Sequence, residues 1–412
     1  MDKSFFIENR RNLIDLMKDN SIMIINSGIH NPDGIFNDKY DESRNYYYSC
    51  GLFEYGNTIL LIKNKNIKEE RIYIKRLDIE LAKWVGAPLT KEEVYSISGI
   101  NDIRYVDSYE ADLDELLLNS EYLYMDLDGD ITWNLKSERD LAKKYITKYK
   151  NIELLSSTSL FKRLRTVKRE CEIENLKIAI DITNKGIENI LKNIGPMYEY
   201  QLESYFDQMV KFNGATGYSF PTIAASGKNS TCLHYMENNS MAKDGDLILF
   251  DLGASYNMYC ADISRTFPIS GKYTNRQKQI YDIVLRGQNA VLDFARVGLT
   301  TKDLNNHLIQ FYIKELKKIG LIKRDNEVNK YYYHGVSHHI GLDCHDLALY
   351  DGLRVNSIIS NEPGLYIEEE NIGIRIEDDM LITKDGGVLL SKDIIKDPDE
   401  IEKYIEKYKK IK

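Results

Sequence analysis

Two stretches of this chain obey one piece of strand arithmetic, and it limits how the second half can fold. Residues facing each other across an antiparallel hairpin have positions with a constant sum. In DLILFDLGASYNMYCADISRTF, the apolar run Leu247 to Phe250 leads into Asp251, and Asp262 follows a Ser-Tyr-Asn turn. A two-residue turn at Tyr256-Asn257 makes these acids direct cross-strand neighbours, with Cβ atoms roughly 5 Å apart on one face. Glu362, in NEPGLYIEE, and Glu377, in GIRIEDD, obey the same rule around Glu369-Glu370 of the EEEN segment. Two hairpins, each presenting a carboxylate pair, can close on one site from opposite sides.

Four carboxylates packed that closely repel one another and take up protons, and bound cations are the obvious compensation. The alternative, four solvated acids among the 64 Asp and Glu, sits badly with their apolar strand contexts, because carboxylates are rarely buried without partners. HGVSHHIGLDCHD adds imidazoles. An oxygen-rich set with one imidazole suits a pair of hard-to-borderline divalent cations, Mn²⁺ being a natural candidate, better than a thiolate zinc site. Two metals sharing carboxylates can generate hydroxide at neutral pH and polarise a carbonyl, so the chain reads first as a hydrolase.

The histidines of that segment need sorting. His334, His338 and His345 are three of the seven in the chain, in a segment punctuated by Gly335 and Gly341. The glycines favour irregular backbone close to a ligand over a regular helix. In extended backbone His338 and His339 point to opposite faces, so one of the two reaches the carboxylates, and spacing leaves open which. His30 and His307 read as structural or exposed.

At 412 residues the chain has length for two domains, and its 43% hydrophobic content can fill their cores. A net charge of −9 with interspersed signs leaves no footprint for nucleic acid. No signal peptide is visible in MDKSFFIENRRNLIDLM, and no stretch approaches the roughly 20 apolar residues that span a bilayer. Cys50, Cys171, Cys232, Cys260 and Cys344 are odd in number, scattered and free of C-x-x-C pairs, which points to reduced thiols and a cytoplasmic setting. Cys260 and Cys344, beside the candidate site, read as small buried side chains ahead of a redox pair.

Residues 1–160 alternate β-rich runs (21–25, 58–62, 72–74, 122–125) with helical patterns such as 78–85, predicting a smaller α/β domain that ends near the Ser156-Ser157-Thr158-Ser159 cluster. In residues 161–412, Ile173, Leu176, Ile180, Ile187 and Leu191 predict an amphipathic helix ended by Gly195-Pro196. Further helices are expected at 199–213, 274–296, 301–320 and 397–412, set against antiparallel strands in an α+β second domain. The triplets Tyr46-Tyr47-Tyr48 and Tyr331-Tyr332-Tyr333 are expected on strands, so that at least one tyrosine of each faces out. A subunit interface or substrate wall is the sharper use for them.

These motifs resemble the metal-dependent pita-bread peptidases, specifically the Xaa-Pro aminopeptidase (aminopeptidase P) branch, over nearly the whole chain. The resemblance implies a pita-bread catalytic domain behind an aminopeptidase P-type amino-terminal domain, to which SRNYYYSCGLFEYGNTILLI is similar. It implies Asp251, Asp262, His338, Glu362 and Glu377 as ligands of two divalent ions, and so selects His338 over His339. Asp251 would hold one ion and His338 with Glu362 the other, with Asp262 and Glu377 bridging. Glu362 doubles as general acid–base, and His234, His334 and His345 position substrate and stabilise the oxyanion. Arg375 either orients site carboxylates or is a strand salt-bridge partner. The implied substrate is a peptide with proline at its second position, and relatives are commonly homo-oligomers, dimers or tetramers. A prolidase confined to Xaa-Pro dipeptides would use the same five ligands, whereas non-catalytic pita-bread binding modules usually lack several. The short EEEN connection departs from the longer loop of some members and bears on how the site is bordered.

Overall fold

Apolar runs of four to six residues in the amino-terminal part become the centre of a sheet, and helices follow where period 3.6 takes over. The computed structural model describes residues 1–32, 38–127 and 134–409. The chain divides into two compact units, Met1–Leu164 and Arg165–Lys412.

In the first unit the strands run in the order Asp102–Tyr105, Ile67–Ile74, Thr58–Asn64, Ser21–Asn26, Tyr122–Met125, Glu153–Ser156. Ser21–Asn26 pairs antiparallel with Thr58–Asn64 and parallel with Tyr122–Met125, which makes the sheet mixed. Parallel neighbours need crossover connections, and the helices between them supply these. The helix Ile79–Val85 forms where Asp78 caps it, accepting from the Glu80 and Leu81 amides.

The first tyrosine triplet corrects the strand expectation. Tyr46, Tyr47 and Tyr48 lie on the helix Arg44–Cys50, started by the Ser43 hydroxyl and stopped at Gly51 with φ 74°. All three are buried. Helical geometry turns successive side chains by about 100°, and this short helix is covered on each of those sides: Tyr47 meets Phe6 and Phe53, and Tyr48 meets Phe5 and Phe161. The second triplet is not on a strand either. It follows a 3₁₀ turn at Asp325–Lys330, with Tyr331 and Tyr332 buried and Tyr333 exposed.

The second unit sets helices against antiparallel strands, as expected. Ile173, Leu176, Ile180, Ile187 and Leu191 line the buried face of Glu170–Asn193, and the helix ends just before Gly195-Pro196, where the residue preceding proline is pushed out of the α region. Glu199–Phe212, Asn275–Phe294, Thr301–Lys318 and Pro398–Lys409 complete the main helices. Thr274 with Gln277 and Thr300 with Asp303 form capping boxes at two of them. Ile223–Ser226, Leu247–Leu252 and Ile263–Pro268 form one antiparallel sheet; Ile358–Asn361, Asp378–Thr383 and Gly386–Leu389 form another. A hairpin of Gly364–Ile367 with Ile372–Arg375 continues the second register. The inner faces of these strands and the helices enclose one apolar core. No helix among the described residues is long and apolar enough to cross a membrane. His307 stacks on Phe294 with ring centroids 4.2 Å apart, a packing role, and the side chain of His30 lies outside the described residues.

Candidate metal centre

The two hairpins differ in how well arithmetic placed them. Glu362 and Glu377 sum to 739, and so do the observed partners Gly364↔Arg375 and Asn361↔Asp378 on either side of them. The acids therefore face each other where Pro363 interrupts the ladder. In the other hairpin Asp251 pairs with Ser264, not Asp262. The observed sum is 515 instead of 513, because the turn falls on Asn257-Met258, with φ of 48° and 66°. Positive φ at both central residues is the type I′ geometry whose twist suits a hairpin. A two-residue change of sum keeps the parity, so Asp262 stays on the Asp251 face as its diagonal neighbour.

Ser264, opposite Asp251, ties the hairpins together. Its hydroxyl donates to Glu377 Oε2 at 2.7 Å and accepts from Arg375 Nε at 2.8 Å, and its carbonyl accepts from the Glu377 amide at 3.0 Å. The segment Val336–Ile340 lies along Ile358–Asn361. The His338 amide donates to Ser360 Oγ at 2.9 Å, and the Glu362 amide donates to the Val336 carbonyl at 3.0 Å. His338 Nε2 thereby comes within 3.3 Å of Asp262 Oδ2 and 3.4 Å of Glu362 Oε1. Asp262, His338 and Glu377 present ligand atoms all within 4.8 Å of one another. His339 turns the other way, buried edge-on to Tyr350.

The electrostatics are those of anions short of counter-charge. Burial pushes the Glu362 carboxyl up to about 7, with the charges of Asp262 and Asp251 adding to it against His338 and Arg375. Burial likewise drives Glu377 well above the usual range, reinforced by Asp262, Glu362 and Asp251. Asp251 is raised by burial although Arg375 Nη2 donates to its Oδ2 at 2.6 Å. Its other oxygen, Oδ1, is buried and meets no hydrogen-bond partner among the described residues, an unusual state for a carboxylate. Burial pulls His338 down, but its bond to Asp262 and the Glu362 charge carry it up to about 9. Four acids, one of them with a bare buried oxygen, and an imidazole held beside them are a donor set that fits divalent cations.

A directed chain runs outward from Asp251. His334 Nδ1 lies 2.7 Å from the Gly335 carbonyl. A carbonyl only accepts, so Nδ1 carries the proton, and Nε2 accepts from the Tyr366 hydroxyl at 2.9 Å. That hydroxyl in turn accepts from Arg375 Nη1 at 3.0 Å. Arg375 thus touches Asp251, Ser264 and Tyr366, contacts that fit both of its sequence readings. Burial, with the nearby Arg375 charge, lowers His334 to about 4 and keeps it neutral. Gly364 makes room for this chain, since a Cβ there would collide with the Tyr366 hydroxyl. His345 is exposed with its ring 4.1 Å from that of His338. His234 is also exposed, near enough to His334 and His345 to interact with both electrostatically. Sequence reasoning missed Tyr366 and Ser264, although strand parity marks both. Tyr366 is four residues from Glu362, and Ser264 two from Asp262. Cys344 donates to Asp262 Oδ2 at 2.9 Å, and burial and the Asp262 charge hold its thiol protonated.

Comparison with known proteins covers both units. Residues 174–384 match metallopeptidase family M24, and residues 6–124 match the aminopeptidase P N-terminal domain. The Xaa-Pro aminopeptidase of Escherichia coli is 30% identical over 88% of this chain and 88% of its own. That of Haemophilus influenzae is 29% identical over 98% of this chain and 97% of its own. A Bacillus anthracis structure assigned as an aminopeptidase P is 41% identical, with TM-score 0.94 over 99% of each chain. The E. coli aminopeptidase P solved with the inhibitor Pro-Leu is 27% identical, with TM-score 0.91 over 100% of this chain and 99% of that one.

Proposed function

We propose, from the premise that this chain belongs to metallopeptidase family M24, that it is an Xaa-Pro aminopeptidase releasing the first residue of peptides with proline second. The observation that carries the reading is the set of buried, under-compensated carboxylates around His338, in a chain similar over nearly its whole length to Xaa-Pro aminopeptidases. Asp251, Asp262, His338, Glu362 and Glu377 would hold two divalent ions, manganese by the hardness of the donors. Bound there, such ions lower the pKa of water and polarise the scissile carbonyl.

The chain's own residues do the rest. Glu362, whose carboxyl sits near neutrality before any cation binds, accepts the proton of the attacking water and returns it to the departing proline nitrogen. That return matters because the bond is a tertiary amide whose nitrogen has no hydrogen of its own. His334 stays neutral with its Nδ1 proton held by Gly335, and the Tyr366–Arg375 chain fixes its ring. His234 and His345, on the exposed side, hold the peptide and the developing oxyanion. The scattered free cysteines support a cytoplasmic enzyme, and its resemblance to the family supports a homo-oligomer.

The test is kcat/KM for an X-Pro-Y tripeptide, its X-Pro dipeptide and an alanine analogue of the tripeptide, all with Mn²⁺. The tripeptide should lead. Losing the ring contacts of proline is worth about 10- to 200-fold. A dipeptide faster by tenfold would make the chain a prolidase.

A further inference from the structure

The segment Arg165–Lys168 and the loop between His338 and Asp346 share a buried cluster of charges that the proposed chemistry does not use. Arg165, Lys168 and Asp346 are all buried. Arg165 Nη2 donates to Asp343 Oδ2 at 2.6 Å and also to Asp346 Oδ1, while Lys168 Nζ donates to Asp346 Oδ2 at 2.8 Å. Two buried cations thus meet one buried anion, Asp346, and one partly exposed anion, Asp343. Burying such a set is rarely justified by stability, because apolar residues of the same volume commonly do as well or better. A fixed geometry is what the charges add.

That geometry leads to the metal centre through one carbonyl. The Asp346 amide donates to the His339 carbonyl at 2.8 Å, and His338 Nδ1 lies 3.2 Å from the same oxygen. An oxygen that only accepts fixes the proton on Nδ1 and turns Nε2 toward Asp262 and Glu362. The loop folds back around the Asp346 carboxylate. Gly341 donates to the Asp343 carbonyl at 3.0 Å and accepts from the Cys260 amide at 2.8 Å. A Cβ on Gly341 would collide with Asp346 Oδ2. His345, next to Asp346, is carried into its place beside His338 by the same fold.

We propose that Asp346, clamped by Arg165 and Lys168, is a positioning residue that sets the tautomer and direction of His338 and thereby the affinity of the centre for metal. The proposal rests on the reading of His338 as a ligand. Outer partners of this kind usually contribute 10- to 100-fold in metal affinity.

The experiment compares wild type, Asp346→Asn and the charge-balanced double variant Asp346→Asn with Lys168→Met. Calorimetric titration of each metal-free protein with Mn²⁺ is read beside its thermal midpoint, kcat and KM. Asp346→Asn should lose stability and bind Mn²⁺ about 10- to 100-fold more weakly. The double variant should regain most of the thermal midpoint while its Mn²⁺ affinity stays low, a split that a merely structural role would not produce. Should the double variant recover affinity together with stability, or a folded Asp346→Asn bind like wild type, the positioning role is wrong. Wild type that binds no Mn²⁺ overturns the functional reading and this inference with it.

Discussion

Glu377 and Asp378 are neighbours in sequence, both fully buried, and the protein treats them in opposite ways. Asp378 accepts from Arg265 and Ser391 at 2.7 Å, from Lys396 at 2.6 Å and from Gln288 at 3.0 Å. Burial raises its carboxyl, yet Arg265 and Lys396 win and hold it below its usual range. Glu377 has one serine hydroxyl and a share of Arg375, set against three other carboxylates, and is pushed far up. Alternation along a strand explains how consecutive residues reach such different surroundings. This chain supplies arginine and lysine to buried acids outside the candidate ligand set, to Asp378 here and to Asp346 in the loop after His338. Its failure to do so around Glu377 leaves room for charge from outside.

The comparison can be broken at either acid cluster. The largest effect is expected from Glu362→Gln, which keeps the shape and one oxygen donor but removes the base. Turnover should fall by about 10²- to 10⁴-fold at full metal occupancy; a loss of only a few-fold would reassign the proton transfers. Asp378→Ala attacks the compensated side and strands Arg265 and Lys396 in the interior. It should cost about 3–5 kcal/mol of stability in denaturant titrations. Metal stoichiometry in the folded fraction should not change, and a variant that folds normally but loses metal would erase the distinction between the two faces.

A smaller effect follows from pH in the metal-free protein. Glu362 rises from 4.5 to about 7, and His338 from 6.5 to about 9. The folded state holds both protons more tightly than the unfolded state, so their contribution is complete at low pH and is lost as pH rises through these values. His334, lowered to about 4, acts oppositely, but only below its ordinary 6.5. Asp378, held low, contributes above its ordinary range and loses that only in acid. Between about pH 6.5 and 9 neither His334 nor Asp378 offsets the loss at the site, and stability should fall by on the order of 1–3 kcal/mol. Urea midpoints across that range check it, and a flat or rising profile contradicts the assigned balance. Saturating metal should remove the slope.

Much of this was legible because strands obey simple counting. The Glu362–Glu377 register was readable to the residue, since one sum governs the ladders on both sides of Pro363. The first hairpin was misread by two because the turn is chosen by which residues accept positive φ, and Asn257-Met258 took it over Tyr256-Asn257. Tyr46 to Tyr48 were misread because aromatic runs favour strands by propensity, while the Ser43 cap and packing on several sides made a helix. The clamp of Arg165 and Lys168 on Asp346 spans a separation of about 180 residues, and no local pattern signals such a contact.

The most direct measurement is the number of divalent ions held by the purified chain after reconstitution with Mn²⁺ and removal of excess. Two per chain, with loss of X-Pro-Y cleavage and a lower thermal midpoint on chelation, is the predicted result. A folded chain with all five candidate ligands intact that holds no metal, yet still cleaves the tripeptide, would contradict it.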